Sequence, residues 1–201
     1  MLESIKQLDT KLFLWLNSHH TFFFDVCFYW ITNKYFWIPF YLLLLFFVYK
    51  EYKTQTWKIV LAILLLIIAS DQFSVLIKES VQRYRPCHNL LLQNVVHLVN
   101  GECGGQFGFV SSHATNSMAL GLFLILSFVK RKKWLTTILL LYVFLVYYSR
   151  IYLGVHYPLD VVGGWIAGAI IGITVFMLSR KFLININANS KLFLKANSNG
   201  S

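Results

Sequence analysis

The chain has 201 residues, of which 57% are hydrophobic and only 13% charged. Soluble domains carry about 25% charged residues, so the composition excludes an ordinary soluble enzyme and places the chain among membrane proteins. Its formal net charge of +10 would suit a nucleic-acid partner if it stood alone. No Gly-rich or RNA-reading motif accompanies it, however, and excess Lys and Arg in a membrane protein mark cytoplasmic loops. No nucleic acid is expected as a partner.

Residues 1–34 come first. The stretch LDTKLFLWLNSHHTFFFDVCFYWITNK is apolar but broken by Lys11, Asn17, His19, His20 and Asp25. It reads as two short amphipathic helices lying in the membrane interface. The start, MLESIKQLD, leads into no apolar region with a cleavage site and is not read as a signal peptide. A sixth span over residues 10–32 is the alternative, opposed by the roughly 2.5–3.5 kcal/mol that Asp25 would cost in hydrocarbon. Five apolar runs follow, at 35–49, 57–77, 114–129, 134–148 and 161–178, each near the roughly 20 residues that cross a hydrocarbon core. The expected fold is all-α: a polytopic membrane helix bundle with five transmembrane helices over residues 35–180. Residues 181–201 are Asn-rich and read as a disordered cytoplasmic tail.

Loop charge orients the chain. Lys50, Lys53 and Lys58, the run Lys130 to Lys133, and Arg180-Lys181 all fall on one side, which the positive-inside rule makes cytoplasmic. The loops 78–113 and 149–160 then face outward. They carry three clusters: Lys78 with Arg85-Pro86, Ser111-Ser112-His113, and Ser149-Arg150 with His156 and Asp160. An ionisable residue beside hydrocarbon is a functional-site hypothesis by default. Lys78, Arg85 and Arg150 can converge on one multiply charged anion, the arginines gripping phosphate oxygens bidentately and the lysine adding a point charge. Ser111, Ser112 and His113 precede or open a helix, whose free N–H groups favour an anion. Of the two histidines, one can attack phosphorus and the other protonate the leaving oxygen. Pro158 suits the first turn of the last helix. Asp160 would then point back at His156 and fix its tautomer, as the third member of a triad does.

The pattern K-x6-RP, then Ser-x-His, then SR-x5-H-x3-D resembles the type-2 phosphatidic acid phosphatase superfamily over roughly residues 35–180. The resemblance implies that His156 is a nucleophile forming a phosphohistidine, oriented by Asp160, with His113 as general acid. It also implies that Lys78, Arg85, Ser111 and Arg150 bind phosphate, with Ser112 contributing its backbone N–H. The family's middle motif is usually Pro-Ser-Gly-His, whereas this chain reads Val110-Ser111-Ser112-His113. A serine in place of that glycine would be strained if the site requires a positive φ.

Other residues take quieter readings. His19, His20, His88 and His97 read as interfacial, Arg83 as a snorkelling cation, and Tyr84, Tyr152 and Tyr157 as interfacial packing. Asp71, seven residues before Lys78 on one helix face, reads as making a structural hydrogen bond within the bundle, with a part in orienting the basic cluster as the alternative. Cys87 and Cys103 share an outer loop where a disulfide can persist, and closing about 15 residues would contribute roughly 3 kcal/mol. The ligand-rich carboxylate or Cys/His cluster of a metal site is missing from the pattern, so no metal or cofactor is expected.

The expected function is hydrolysis of a phosphate ester or diphosphate on a membrane lipid, with no obligate protein partner. Undecaprenyl diphosphate or a phosphatidyl-type lipid such as phosphatidic acid or phosphatidylglycerol phosphate comes first, lipid A next. The expected location is a bacterial inner membrane with the site facing the periplasm or exterior. Two rivals remain: vanadate-dependent haloperoxidase chemistry in the same cradle, and a non-catalytic lipid-binding or lipid-translocating protein.

Overall fold

The computed structural model describes residues 2–128 and 133–182. Residue 129, the basic residues 130–132 and the predicted tail from residue 183 onward lie outside them. Among the described residues seven α-helices follow one another: α1 (Leu2–Ser18), α2 (Phe22–Thr32), α3 (Ile38–Tyr52), α4 (Thr56–Val81), α5 (Ser112–Phe128), α6 (Lys133–Tyr152) and α7 (Pro158–Phe182).

Each of the five predicted apolar runs becomes a helix, α3 to α7. Three stretches are long and apolar enough to cross a membrane: Ile38–Val81, Lys133–Tyr152 and Pro158–Phe182. The first contains both α3 and α4, joined by a short 3-10 turn at Lys53–Gln55. Phe22–Thr32 and Ser112–Phe128 are shorter apolar helices. The helices at the site end outrun the hydropathy signal because their last turns carry polar residues. Thus α4 continues to Val81 and stops where Gln82 adopts a left-handed conformation.

The N-terminal segment is two helices. Thr21 breaks the chain between them and caps α2, its Oγ1 accepting from Phe24 N at 3.3 Å. A single helix over 10–32 does not form. The first helix is amphipathic in an inverted sense. Asp9, Phe13 and Asn17, spaced four apart, are buried, while Ile5, Leu8, Leu12 and Trp15 are exposed. A helix whose polar side faces protein and whose apolar side faces outward suits a lipid surface. The same holds around the bundle, where Leu42, Leu64, Ile68, Leu141, Phe144, Ile166 and Ile170 are exposed.

The central helix is α5, packed against α7, α6 and α4. Leu44, Val48, Ile59, Leu66, Phe123, Leu124, Phe128, Leu135 and Leu139 form the main core around it. Glycines at four-residue spacing on α7 let it approach α5 closely, as small residues do between membrane helices. A Cβ at Gly168 would strike the Thr115 carbonyl and sit 3.0 Å from Met118 Cβ. Both obstacles belong to α5, just below the residues that open it. We therefore expect Gly168→Val to destabilise the protein by about 1–3 kcal/mol, the usual cost of overpacking. Thermal unfolding in detergent checks this, and an unchanged Tm would show that the helices separate freely.

Candidate active site

Three turns carry the predicted site residues. At the end of α4, Lys78 lies in the last helical turn, and the chain then runs extended through Arg83 to Arg85. A short antiparallel bridge pairs Tyr84 with Phe107. It is flanked by Arg85 N to Gln106 O at 3.1 Å and Gly108 N to Arg83 O at 2.8 Å. Cys87 and Cys103 are joined as a disulfide within this loop, with Cα atoms 6.0 Å apart, and Cys27 is free. At the end of α6, the Arg150 carbonyl accepts from Val155 N at 3.3 Å and His156 N at 3.2 Å. This folded-back turn is why five residues separate Arg150 from His156. The third turn opens α5, where Ser111 N donates to the Asp160 carbonyl at 2.9 Å, tying α5 to the first turn of α7.

These turns close a cavity of about 380 Å3 lined by Lys78, Arg85, Ser112, His113, Arg150 and His156, with Thr32, Tyr29, Glu102 and Gly104. Two predicted residues lie behind its wall. Asp160 is fully buried behind His156, and Ser111 is fully buried beneath the α5 turn.

The histidine's state follows from its neighbours. Arg85 Nη1 is 3.1 Å from His156 Nε2. A guanidinium only donates, so Nε2 must accept, and the ring proton sits on Nδ1. That atom faces Asp160 Oδ2 at 3.5 Å and has no closer hydrogen-bond partner. Burial first, then the charges of Arg85, Arg150 and Lys78, hold the His156 pKa well below the ordinary histidine value. The ring is therefore neutral near pH 7, with its nucleophilic lone pair on Nε2 covered by Arg85. Gly108 passes beside this pair: a Cβ there would fall 2.8 Å from Asp160 Oδ2.

The cations have few fixed anions of their own. Arg85 donates to Phe107 O at 3.3 Å and Val155 O at 3.4 Å. Lys78 Nζ donates to Ser112 Oγ, and Arg150 Nη1 to Thr32 Oγ1. Arg150 Nε and Ser111 Oγ are buried with no hydrogen-bond partner among the described residues. Leaving such a group unsatisfied costs about 1–3 kcal/mol. A phosphate, with oxygens facing several donors, is the ligand this chemistry fits.

Ser112 resolves the departure from the usual glycine. Among the described residues the positive-φ non-glycines are Lys53, Gln82 and Asn100, so Ser112 carries no left-handed strain. Its hydroxyl pairs with Ser74 Oγ at 2.6 Å and receives Lys78, giving the lysine a fixed seat.

Several quieter readings are corrected. Arg83 does not snorkel: it ion-pairs with Asp9 at 2.6 Å and Asp160 at 2.8 Å. His97 is tied to Asp25 at 2.9 Å, and Tyr152 donates to the same carboxylate at 2.7 Å. Tyr157 lies under the Arg83 guanidinium, 4.2 Å from its ring centre. Asp71 makes no side-chain hydrogen bond among the described residues. It lines a second cavity of about 540 Å3 with largely apolar walls, which shares Thr32, Ser112 and His113 with the polar one. Sequence reasoning missed Thr32, Asp9 and Gly108. None of them belongs to a motif, and each acts through a contact distant in sequence. Among the described residues no group of three His, Cys, Asp or Glu side chains is placed to hold a metal ion.

A membrane helix bundle with this cation-and-histidine cradle matches one family. The PAP2 superfamily model covers residues 55–183, and the chain belongs to that superfamily. It is 36% identical over 196 residues to the lipid A 4'-phosphatase of Bacteroides thetaiotaomicron, covering 94% of this chain and 85% of that one. The lipid A 4'-phosphatase of Porphyromonas gingivalis is 37% identical over 177 residues, covering 87% and 74%. In fold, it is similar to the transmembrane PAP2 type phosphatidylglycerolphosphate phosphatase from Bacillus subtilis. That match has a TM-score of 0.69 at 23% identity and covers 89% of this chain and 88% of that one.

The lowered His156 pKa has a consequence for stability. The unfolded chain binds a proton near the ordinary histidine value of about 6.5, while folded His156 refuses it. Stability from this group is present above that value and is lost as pH falls below it. The slope is at most about 1.4 kcal/mol per pH unit. We expect His156→Gln to flatten the fall in ligand-free stability below about pH 6.5, and denaturation at a series of pH values checks it. An unchanged slope would mean that His156 protonates freely when folded.

Proposed function

We propose that the chain removes a phosphate from a lipid A-type glycolipid at the outer face of a bacterial inner membrane, through a phosphohistidine on His156. The chain is a membrane lipid phosphatase of the PAP2 type. The two lipid A 4'-phosphatases, aligned over most of both chains, favour lipid A over the undecaprenyl and phosphatidyl lipids that sequence reasoning placed first. The observation that carries the reading is the meeting of two cavities. A cation-lined chamber adjoins an apolar one, with His113 in the wall of both. An amphiphile fits across that junction, phosphate among the cations and acyl chains among the leucines.

The steps follow from the residues in place. The phosphate oxygens draw Arg85 off His156 Nε2, since a charge-assisted contact to phosphate outcompetes one to a neutral ring. The freed lone pair attacks phosphorus in line with the bond to the lipid oxygen. That bond breaks, and His113, which takes up a proton once the phosphate dianion offsets the neighbouring cations, gives that proton to the leaving oxygen. The developing charge lies among Lys78, Arg85 and Arg150, already in position. Asp160 steadies the Nδ1–H as His156 becomes cationic. Water then attacks phosphorus, loses a proton to His113 and displaces His156, releasing inorganic phosphate. No step calls for a metal. Ser111 Oγ, buried beside this cradle with no hydrogen-bond partner among the described residues, is assigned as a further donor to a phosphate oxygen.

In the membrane, α3 to α7 are the five spans, α5 being short because its first turn belongs to the site. The first two helices lie at the outer interface. The lysines at the α3–α4 turn and Arg180-Lys181 face the cytoplasm by the positive-inside rule. The Cys87–Cys103 bond then sits in an oxidising compartment, where it persists.

The test is phosphate release by detergent-purified protein in EDTA from lipid A, undecaprenyl diphosphate, phosphatidic acid and phosphatidylglycerol phosphate. We expect release, greatest from lipid A, falling about 1,000-fold or more in His156→Ala and about 100-fold or more in His113→Ala. Enzyme quenched in alkaline detergent is expected to carry base-stable, acid-labile phosphate on His156. Release that survives in His156→Ala overturns the mechanism, and a preference for another lipid overturns the substrate.

A further inference from the structure

Behind the nucleophile lies a connection that the phosphatase reading does not use. Asp160 Oδ1 accepts from Arg83 Nη1 at 2.8 Å, while the other edge of the same guanidinium, Nη2, meets Asp9 Oδ2 at 2.6 Å. The second oxygen of Asp9 accepts from Leu159 N at 2.9 Å, the residue immediately before Asp160. The face of the Arg83 guanidinium rests on Tyr157, the residue immediately after His156. Tyr157 N donates to Asp160 Oδ2 at 3.0 Å, and Phe13 of α1 packs edge-on against the Tyr157 ring at 5.3 Å.

We propose that Arg83 and Asp9 are positioning residues for His156: together they fix the Asp160 carboxylate and the His156–Asp160 turn, and so make helix α1 part of the catalytic apparatus. The inference rests on the reading of His156 as nucleophile. Its physical basis is the fate of each carboxylate oxygen. A buried carboxylate with one unheld oxygen rotates toward the nearest cation, and Arg85 lies in contact with His156 itself. Arg83 occupies Oδ1 and leaves Oδ2 for the peptide N–H of Tyr157 and the ring N–H of His156. Arg83 is in turn held in plane by Asp9, whose side chain is only 1% exposed. A carboxylate so buried is retained only when paired, and here its pair is the residue that holds Asp160. Neither group belongs to the recurrent motif. Arg83 falls among the six unspecified residues between Lys78 and Arg85, and Asp9 lies outside the region the family model covers.

The geometry separates this role from simple bracing of α1, because bracing predicts lost protein rather than a selective loss in turnover. A misplacement of about 1 Å at the reacting group costs on the order of 100-fold in rate. With purified full-length chain and a lipid phosphate substrate, Arg83→Gln is expected to lower kcat about 100-fold while KM changes less than about threefold. Arg83→Lys, which keeps a cation between the two carboxylates, is expected to recover kcat to within about tenfold of wild type. Asp9→Asn is expected to lower kcat about tenfold. The double variant should be no slower than Arg83→Gln, since Asp9 acts through Arg83. If Arg83→Gln does not fold, Arg83→Lys and Asp9→Asn decide: reduced kcat at unchanged KM supports the proposal, and wild-type kcat in both overturns it. Wild-type turnover in folded Arg83→Gln, a change confined to KM, or additive losses in the double variant also overturn it. His156→Ala is measured alongside. Activity retained there would remove the nucleophile assignment itself, whereas inactive His156→Ala beside fully active Arg83→Gln would remove only the positioning role.

Discussion

Everything in this molecule depends on holding three cations beside two histidines at the edge of a hydrocarbon layer. Lys78, Arg85 and Arg150 line one small chamber, where their like charges repel one another. Each is seated on neutral groups: a serine hydroxyl, peptide carbonyls with an imidazole nitrogen, and a threonine hydroxyl. The two buried carboxylates nearby, Asp9 and Asp160, are both engaged by Arg83. In its proposed role, Arg83 keeps these anions from pairing with Lys78, Arg85 and Arg150. The chamber is left with positive charge directed at whatever enters, which is the preorganisation that phosphoryl transfer rewards.

Such a cluster needs a rigid frame, and the frame is the seam between α5 and α7. Glycines on α7 bring the two helices together closely enough for Ser111 N to bond the Asp160 carbonyl. That bond sets the first turn of α5, carrying His113, against the first turn of α7, carrying Asp160. The α6–α7 turn then hangs His156 between them, its peptide N–H bonded to the carbonyl of Arg150. The packing of α5 on α7 and the placement of His156 are one structural problem, solved along one pair of helices.

The parts legible in sequence were those set by local pattern. Apolar runs located α3 to α7, and motif spacing brought Lys78, Arg85, Ser112, His113, Arg150 and His156 to one chamber. Spacing could not say that Ser111 would be buried beneath the α5 turn rather than lining the chamber. Arg83 was misread because a cation at a span end looks the same whether it meets water or two carboxylates. Its partners are 74 and 77 residues away, beyond any helical period. Asp71 illustrates the converse: it lines a cavity that borders the site, but the hydrogen bond expected of it does not form among the described residues. Ser112 looked like a defect when compared with a motif, yet the backbone there needs no glycine and the hydroxyl seats Lys78.

The two cavities bear on how a reaction at a membrane surface can be directional. Under the proposed function, phosphate is held in the chamber where the cations are, and acyl chains in the apolar space between α3, α4, α5 and α6. A substrate that satisfies both must place its scissile bond at their shared wall, beside Thr32, Ser112 and His113. In that reading the leaving oxygen lies beside His113, the proposed acid. Once the bond breaks, the halves prefer opposite directions. In that reading, inorganic phosphate keeps its contacts in the polar chamber, and the dephosphorylated lipid keeps them in the apolar one. Separation of products is then driven by the same partition of polar and apolar surface that aligned the substrate.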